Sequence, residues 1–454
     1  MVLAIACAVL AAAERLDPAA IAGLLLIGEL GLDGRVRPVR GVLPAVLAAA
    51  DAGYTRVVVP AQTAPEASLV PGMDVRGVRT LGSLIALLSG REAAEDQPGP
   101  EEPAQPDNAL AGLSLPGLGV RGRAADERDH RDLADIAGQY EARHALEIAA
   151  AGGHHLFLKG PPGAGKTMLA ERLPGILPPL SPHQALEVTA VHSVAGLLPP
   201  GRPLVGTAPY CAPHHSTTMP AIIGGGSGLP RPGAVSLAHR GVLFLDEAPE
   251  FPVRVLDALR QPLESGEVVV ARSAGSLRLP ARFLLVMAAN PCPCGRWSRR
   301  GQACDCTPTM VSRYQARLSG PLLDRVDLRV EVEPVTRVEL MERDASAENS
   351  ATVAARVLAA RERAAARFAG TPWRTNGEVP GHELRTRWRL APGALQDAER
   401  QLERGLLTAR GLDRVLRVAW TAADLAGLDL PGRAQVRTAL SLRSGVPGGL
   451  AAPG

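Results

Sequence analysis

The stretch FLKGPPGAGKTMLAERL, starting at Phe157, passes from an apolar β-type run through a glycine turn into a helical pattern. Within it, Gly160, Pro161, Pro162, Gly163, Ala164, Gly165, Lys166 and Thr167 match G-x-x-x-x-G-K-[ST]. Glycines let backbone N–H groups curl around phosphate oxygens, and the helix that follows presents its positive end to the same anion. Lys166 suits the β/γ-phosphates because it is a compact charge on a flexible stem, which the planar fork of arginine is not. The composition underlines that choice. Lys159 and Lys166 are the chain's only lysines among 49 basic residues. Thr167 offers a hydroxyl to Mg²⁺, and Met168 continues the nucleotide-binding stretch. Lys159 reads as an ordinary strand-end residue.

Three short apolar runs, HHLFLKG, VLFLDEAPE and FLLVMAANP, each end in a polar or turn-forming cluster. This is the pattern of buried parallel strands carrying functional residues at their C-terminal ends. Asp246 follows four apolar residues and is placed to serve the Mg²⁺ side of a nucleotide site. Glu247 beside it is placed to polarise an attacking water. Asn290, at the end of the third run, is placed to orient that water.

Residues 1–90 alternate helix and strand patterns, with a strand in YTRVVVPA and a helix in TLGSLIALLSG. The opening MVLAIACAVLAAA resembles a signal peptide but lacks a basic start, so a buried helix is expected. Residues 91–127 form an acidic, proline-rich linker: REAAEDQPGPEEPAQPDN holds six acids against one arginine. An ATPase core is expected over 128–335, a helical region over 336–445 and a disordered tail over 446–454. No run is long and apolar enough to span a membrane, the six cysteines make no secreted framework, and a cytoplasmic location is expected. The net charge of +3 does not by itself imply nucleic acid.

Further segments narrow the reading: APHHS (212–216), IIGGGS (222–227), PGAVSLAHRGVLFLDEAPEF (232–251), NPCPCG (290–295) and SGPLLDRVDL (319–328). Together they resemble the magnesium-chelatase-like AAA+ family of the YifB and ComM type, over nearly the entire chain. The resemblance implies an α/β fold, with a P-loop AAA+ core of parallel sheet and flanking helices. A C-terminal helical lid and a partial Lon-like α+β N-terminal domain complete it. It implies ATP and Mg²⁺ as cofactors. Ile136, Gly138 and Gln139 match the segment flanking adenine. Arg325 matches an arginine finger that reaches a neighbouring subunit, and Arg410 a sensor arginine of the lid. A finger in trans implies a homo-oligomer, expected to be a hexamer with ATP between subunits.

The segment 266–283 reads as a β-hairpin, and the family's hairpin at this place projects into the ring's pore. Arg272 and Arg278 on it are expected to track the phosphates of single-stranded or branched DNA. The resemblance to ComM implies a branch-migration helicase in natural transformation. A magnesium-chelatase motor subunit and a protein-remodelling ATPase are the alternatives. The dedicated chelatase motor resembles only the ATPase portion, which counts against the first of these. The hairpin offers valine and arginine where a protein grip calls for aromatics, which counts against the second.

Cys292, Cys294, Cys304 and Cys306 form two C-x-C pairs able to bind Zn²⁺ as thiolates. Free thiols remain the alternative, because C-x-C is tighter than the usual ribbon spacing. His214 and His215 read as structural or conformational rather than as metal ligands. Residues 28–62 resemble part of a Lon-protease-like domain, beginning inside that domain. Leu43 falls where such a peptidase carries its lysine base, so a non-catalytic scaffold is expected.

Overall fold

The computed structural model describes residues 2–91, 120–121, 131–199, 203–225, 230–272, 275–297, 304–341 and 348–444. The linker, apart from Arg91 and 120–121, and the tail lie outside these. The chain divides into two compact units. The first comprises Met1–Pro116, Leu180–Gly206 and Gly226–Pro232; the second, Gly117–Pro179, Thr207–Gly225 and Gly233–Gly454.

The first unit is built on a three-stranded parallel sheet, with Arg56–Pro60 between Leu24–Leu26 and Asp74–Val78. The central strand is β-branched, and its side chains alternate across the sheet. Val57 and Val59 enter a core with Val42, Leu43 and Val46 of helix Val42–Asp51. Val58 enters a separate core with Leu3 and Cys7 of helix Leu3–Ala12; the opening residues are helical as expected, but the helix is buried on one side only, with Ile5 and Val9 exposed. Leu43 is fully buried. Helix Pro182–Ala195 packs in this unit through Leu186 and Ala190. Its start is fixed by proline in the first turn and by a capping box between Ser181 and Gln184.

The second unit carries the glycine loop. We label its parallel strands β1 (Leu156–Lys159), β2 (Tyr210–Cys211), β3 (Val242–Leu245), β4 (Leu284–Ala289) and β5 (Leu328–Glu331). They lie in the order β5-β1-β4-β3-β2, with the two-residue strand Val120–Arg121 antiparallel at the β2 edge. All three runs read as strands form the middle of this sheet. β3 and β4 are buried at every position, as strands covered on both faces must be. Helices α1 (Tyr140–Gly152), α2 (Lys166–Ile176), α3 (Ser350–Arg367) and α4 (Ala409–Leu425) pack their apolar faces into one core with the sheet. α5 (Arg433–Ser444) adds Val436, Ala439 and Leu440 to it. The hairpin is present: Glu267–Arg272 pairs antiparallel with Gly275–Pro280, from Glu267 opposite Pro280 to Arg272 opposite Gly275.

His155 sits at the base of β1, where its Nδ1 accepts the Leu285 backbone N–H at 3.0 Å. Burial pushes this imidazole down to about 4, so it is neutral when folded and takes up a proton on unfolding below its ordinary pKa. The unfolded chain therefore binds more protons between pH 6.5 and 4, and stability must fall as pH drops through that window. We expect His155 to account for about 2 kcal/mol of lost unfolding free energy between pH 7 and pH 5. Urea titrations of the wild type and His155→Asn at both pH values check this. The variant's pH dependence should be shallower by that amount.

Candidate nucleotide site

Strand register assembles the site. Ala289 of β4 lies opposite Lys159 of β1, and Leu245 of β3 opposite Met287 of β4. The loop after β1, Asn290 after β4 and the acidic pair after β3 therefore emerge side by side at the C-terminal edge, where parallel sheets bind ligands.

Gly163 and Gly165 adopt φ of +76° and +92°, and a Cβ on either would meet nothing within 4 Å. The loop thus folds as an open cradle rather than a packed turn. The first turn of α2 aims amide groups into it that have no intrahelical acceptor. The Lys166 ammonium donates to the carbonyls of Gly160 (2.7 Å) and Pro161 (2.9 Å) and to Asn290 Oδ1 (3.1 Å). Burial lowers its pKa, against the raising influence of Asp246 and Glu247. A largely buried ammonium on a glycine cradle is the donor set a polyphosphate requires. Thr167 Oγ1 donates to Asp246 Oδ2 at 2.7 Å, which places two hard oxygens together, as a Mg²⁺ ion demands. Met168 is exposed beside them on α2.

Glu247 departs from extended geometry, with φ of +48°, and its backbone N–H is held by Asp246 Oδ1 at 2.9 Å. That turn takes the carboxylate out of the sheet into the open. There His215 Nδ1 stands 3.4 Å from Glu247 Oε2. His215 lies against His214 with ring centroids 4.0 Å apart and the planes tilted by 35°, and His214 Nδ1 lies 2.7 Å from Ser216 Oγ. The sequence alone gives His215 no place at the site. Its signal was faint: two adjacent histidines just past the end of a strand.

Ile136 is buried and Gly138 is in the left-handed region, with φ of +58°. Gln139, also left-handed, starts α1 and donates from Nε2 to the carbonyls of Ala164 (3.1 Å) and Glu333. It thereby ties the phosphate loop to the chain leaving β5. Arg325 is mostly buried; its guanidinium pairs with Glu264 and donates to the Pro321 carbonyl of the same chain. Arg410 is exposed on the first turn of α4. One turn later Arg414 reaches Asp327 at 2.9 Å. Arg278 is exposed on the hairpin and pairs with Glu267 at 3.0 Å, while the Arg272 side chain lies outside the described residues.

The four cysteines converge after β4. Cys292, Cys294, Cys304 and Cys306 place their sulfurs all within 4.8 Å of one another, with closest pairs at 3.4, 3.5 and 3.7 Å. A tetrahedral ion with Zn–S bonds near 2.3 Å needs S···S edges of about 3.8 Å, so the cluster has the dimensions to hold a metal ion.

A family model described as magnesium chelatase, subunit ChlI, matches residues 132–340, and one for the ChlI C-terminal region matches 347–443. A third, described as subunit ChlI of Mg-chelatase, matches residues 2–63. An uncharacterized protein of Mycobacterium tuberculosis is 52% identical over 97% of this chain and 82% of its own length. The YifB protein of Salmonella typhimurium is 39% identical over 97% and 81%. The competence protein ComM of Haemophilus influenzae is 39% identical over 94% and 78%. The fold and site are those of a magnesium-chelatase-like AAA+ protein. Within that class, this chain belongs to the YifB/ComM family.

Asp327 is the buried post on which the helical region is fastened. It receives Arg414, and His154 Nδ1 lies 3.4 Å away; His154 Nε2 in turn meets Thr421 of α4 at 2.7 Å. Burial raises the Asp327 carboxyl, but Arg414 and the His154 contact outweigh it and hold the group well below the carboxylate range. Asp327→Asn should therefore cost about 3 kcal/mol by leaving Arg414 unpaired. Urea unfolding should show a lower midpoint with an unchanged slope.

Proposed function

We propose that this chain is an ATP-hydrolysing motor that assembles into a hexameric ring and works on single-stranded or branched DNA. The observation that carries the ATPase part is the convergence of Lys166 with Asn290 and of Thr167 with Asp246, with Glu247 alongside. When bound, Mg²⁺-ATP supplies the phosphoanhydride bond that is broken. Lys166 and the loop amides bind the phosphates and offset their charge. Thr167 and Asp246 hold the metal's side of the site. Asn290 orients the attacking water and Glu247 accepts its proton. Ile136, Gly138 and Gln139 flank the base, and Arg410 senses the nucleotide from the helical region. Arg325 acts on the nucleotide of an adjacent copy, which requires it to leave Glu264.

The DNA reading is supported by the likeness to the competence protein ComM and by the exposed arginine on the hairpin. The exposed pair of Arg278 with Glu267 is weak enough for a phosphate to displace. The dedicated chelatase motor is the second reading, favoured by the family models. The match over residues 2–63 carries the same description, so the N-terminal region does not separate the two readings. That region serves as a non-catalytic scaffold, since Leu43, at the position of a peptidase base, is buried and apolar. The four cysteines bind Zn²⁺ as a structural staple.

Forked DNA should raise ATP turnover of the wild type severalfold, and Arg278→Glu should abolish that rise while leaving basal turnover intact. A chain indifferent to DNA would reject the DNA reading. Lys166→Ala should lose nucleotide binding. Glu247→Gln should bind ATP yet hydrolyse it at least about 100-fold more slowly. Arg325→Ala should bind normally and lose about 10³-fold in turnover, with partial recovery on mixing with Glu247→Gln chains. Full turnover by Arg325→Ala alone would reject the trans finger.

A further inference from the structure

The cysteine cluster stands at a junction of the nucleotide site's parts. Cys292 follows Asn290, the residue bonded to Lys166, by two positions and is fully buried. Its carbonyl accepts the Gly295 N–H at 3.0 Å, and its sulfur accepts the Trp297 N–H at 3.4 Å. These bonds close a tight turn around the first ligand pair. Gly295 has φ of +74°, and a Cβ there would lie 2.5 Å from both Cγ and Cδ of Pro162. The turn therefore rests directly on the phosphate loop. On the other side, Cys306 leads into helix Pro308–Ala316, capped by Thr307, whose side chain accepts the Met310 N–H. Gln315 of that helix donates to the Pro291 carbonyl at 3.1 Å. Four sulfurs thus join the segment after β4 to the helix that runs on toward Arg325, with the phosphate loop pressed against the turn between them.

We propose that metal bound by Cys292, Cys294, Cys304 and Cys306 sets nucleotide affinity, by holding the 292–297 turn against Pro162 and Asn290 against Lys166. This rests on the Zn²⁺ reading of the cluster and goes beyond it. A staple needed only for folding would be indifferent to nucleotide. The arrangement here makes the two sites partners, because loss of the metal frees the segment that seats both Asn290 and the loop. Linkage then requires reciprocity: nucleotide must tighten the metal by the same factor by which metal tightens nucleotide. No covalent chemistry is involved, only the exchange of a Zn²⁺ ion with four thiolates.

The test uses the full chain, purified without added metal. Zinc content is measured by atomic emission, and affinity by titration of a fluorescent ATP analogue in millimolar Mg²⁺. The analogue is titrated before stripping with a zinc-selective chelator, after stripping, and after Zn²⁺ is returned. One zinc per chain is expected, with affinity falling about tenfold on stripping and recovering on return. Gly295→Ala should keep its zinc and bind nucleotide more weakly. If that variant does not fold, Pro162→Ala serves, because it removes the ring atoms the turn rests on. It should keep its zinc while the affinity ratio between loaded and stripped forms drops toward one. Absence of zinc, or two disulfides in its place, would overturn the Zn²⁺ reading itself. Stoichiometric zinc whose removal leaves nucleotide affinity unchanged would overturn the coupling and leave the metal reading standing.

Discussion

The site depends on one constraint, the parallel pairing of β1 with β4 and of β4 with β3. That register sets Asn290 level with Gly160 and brings the acidic pair alongside. A shift of one residue in β4 would turn Asn290 away from Lys166 and send alternate side chains to the wrong face. The register is enforced by burial, because β3 and β4 have no solvent-facing position to slip into. Lys166 then completes the closure. Its ammonium spans from the loop's own carbonyls to the neighbouring strand's amide, so the cradle is cross-linked to β4. Such preorganisation is what lets a charged group act without reorganising during reaction.

A second level of order fastens the helical region to this sheet. Asp327, Arg414, His154 and Thr421 form one buried chain of contacts between the start of β5 and α4. Asp327 lies two residues beyond Arg325, so the segment bearing the proposed finger is anchored at the post that receives α4. A buried ionic contact of this kind is a poor source of net stability but a strong fixer of geometry. The Arg325 guanidinium, meanwhile, is occupied by Glu264 of its own chain. The proposed finger is thus engaged within its own chain, on the same unit as the phosphate loop.

Much of this was legible in the sequence because the site is made of short segments at strand ends. A glycine loop, an acid pair after four apolar residues and an asparagine after another apolar run each carry their meaning locally. Scarcity of lysine pointed at Lys166 more sharply than the motif alone. What escaped was contact between distant segments. Nothing near His215 in sequence says that it faces Glu247. Nothing around Gln139 says that it bonds to Ala164 and Glu333. On α4 the arginines at 410, 414 and 417 share a helix, and only packing reveals that Arg414 reaches Asp327 while Arg410 stays exposed. Helix Pro182–Ala195 lies between segments of the second unit in sequence, yet it packs with the first, where Leu186 and Ala190 meet the core of helix Val42–Asp51.

The central claim is that hydrolysis needs both the cradle of one copy and the guanidinium of another. Its most direct test is ATP turnover per chain as a function of protein concentration, read beside sedimentation velocity in the same Mg²⁺-nucleotide buffer. The account predicts turnover that rises steeply as copies assemble and levels off once they have. Turnover per chain that stays constant down to concentrations where only single copies sediment would contradict it.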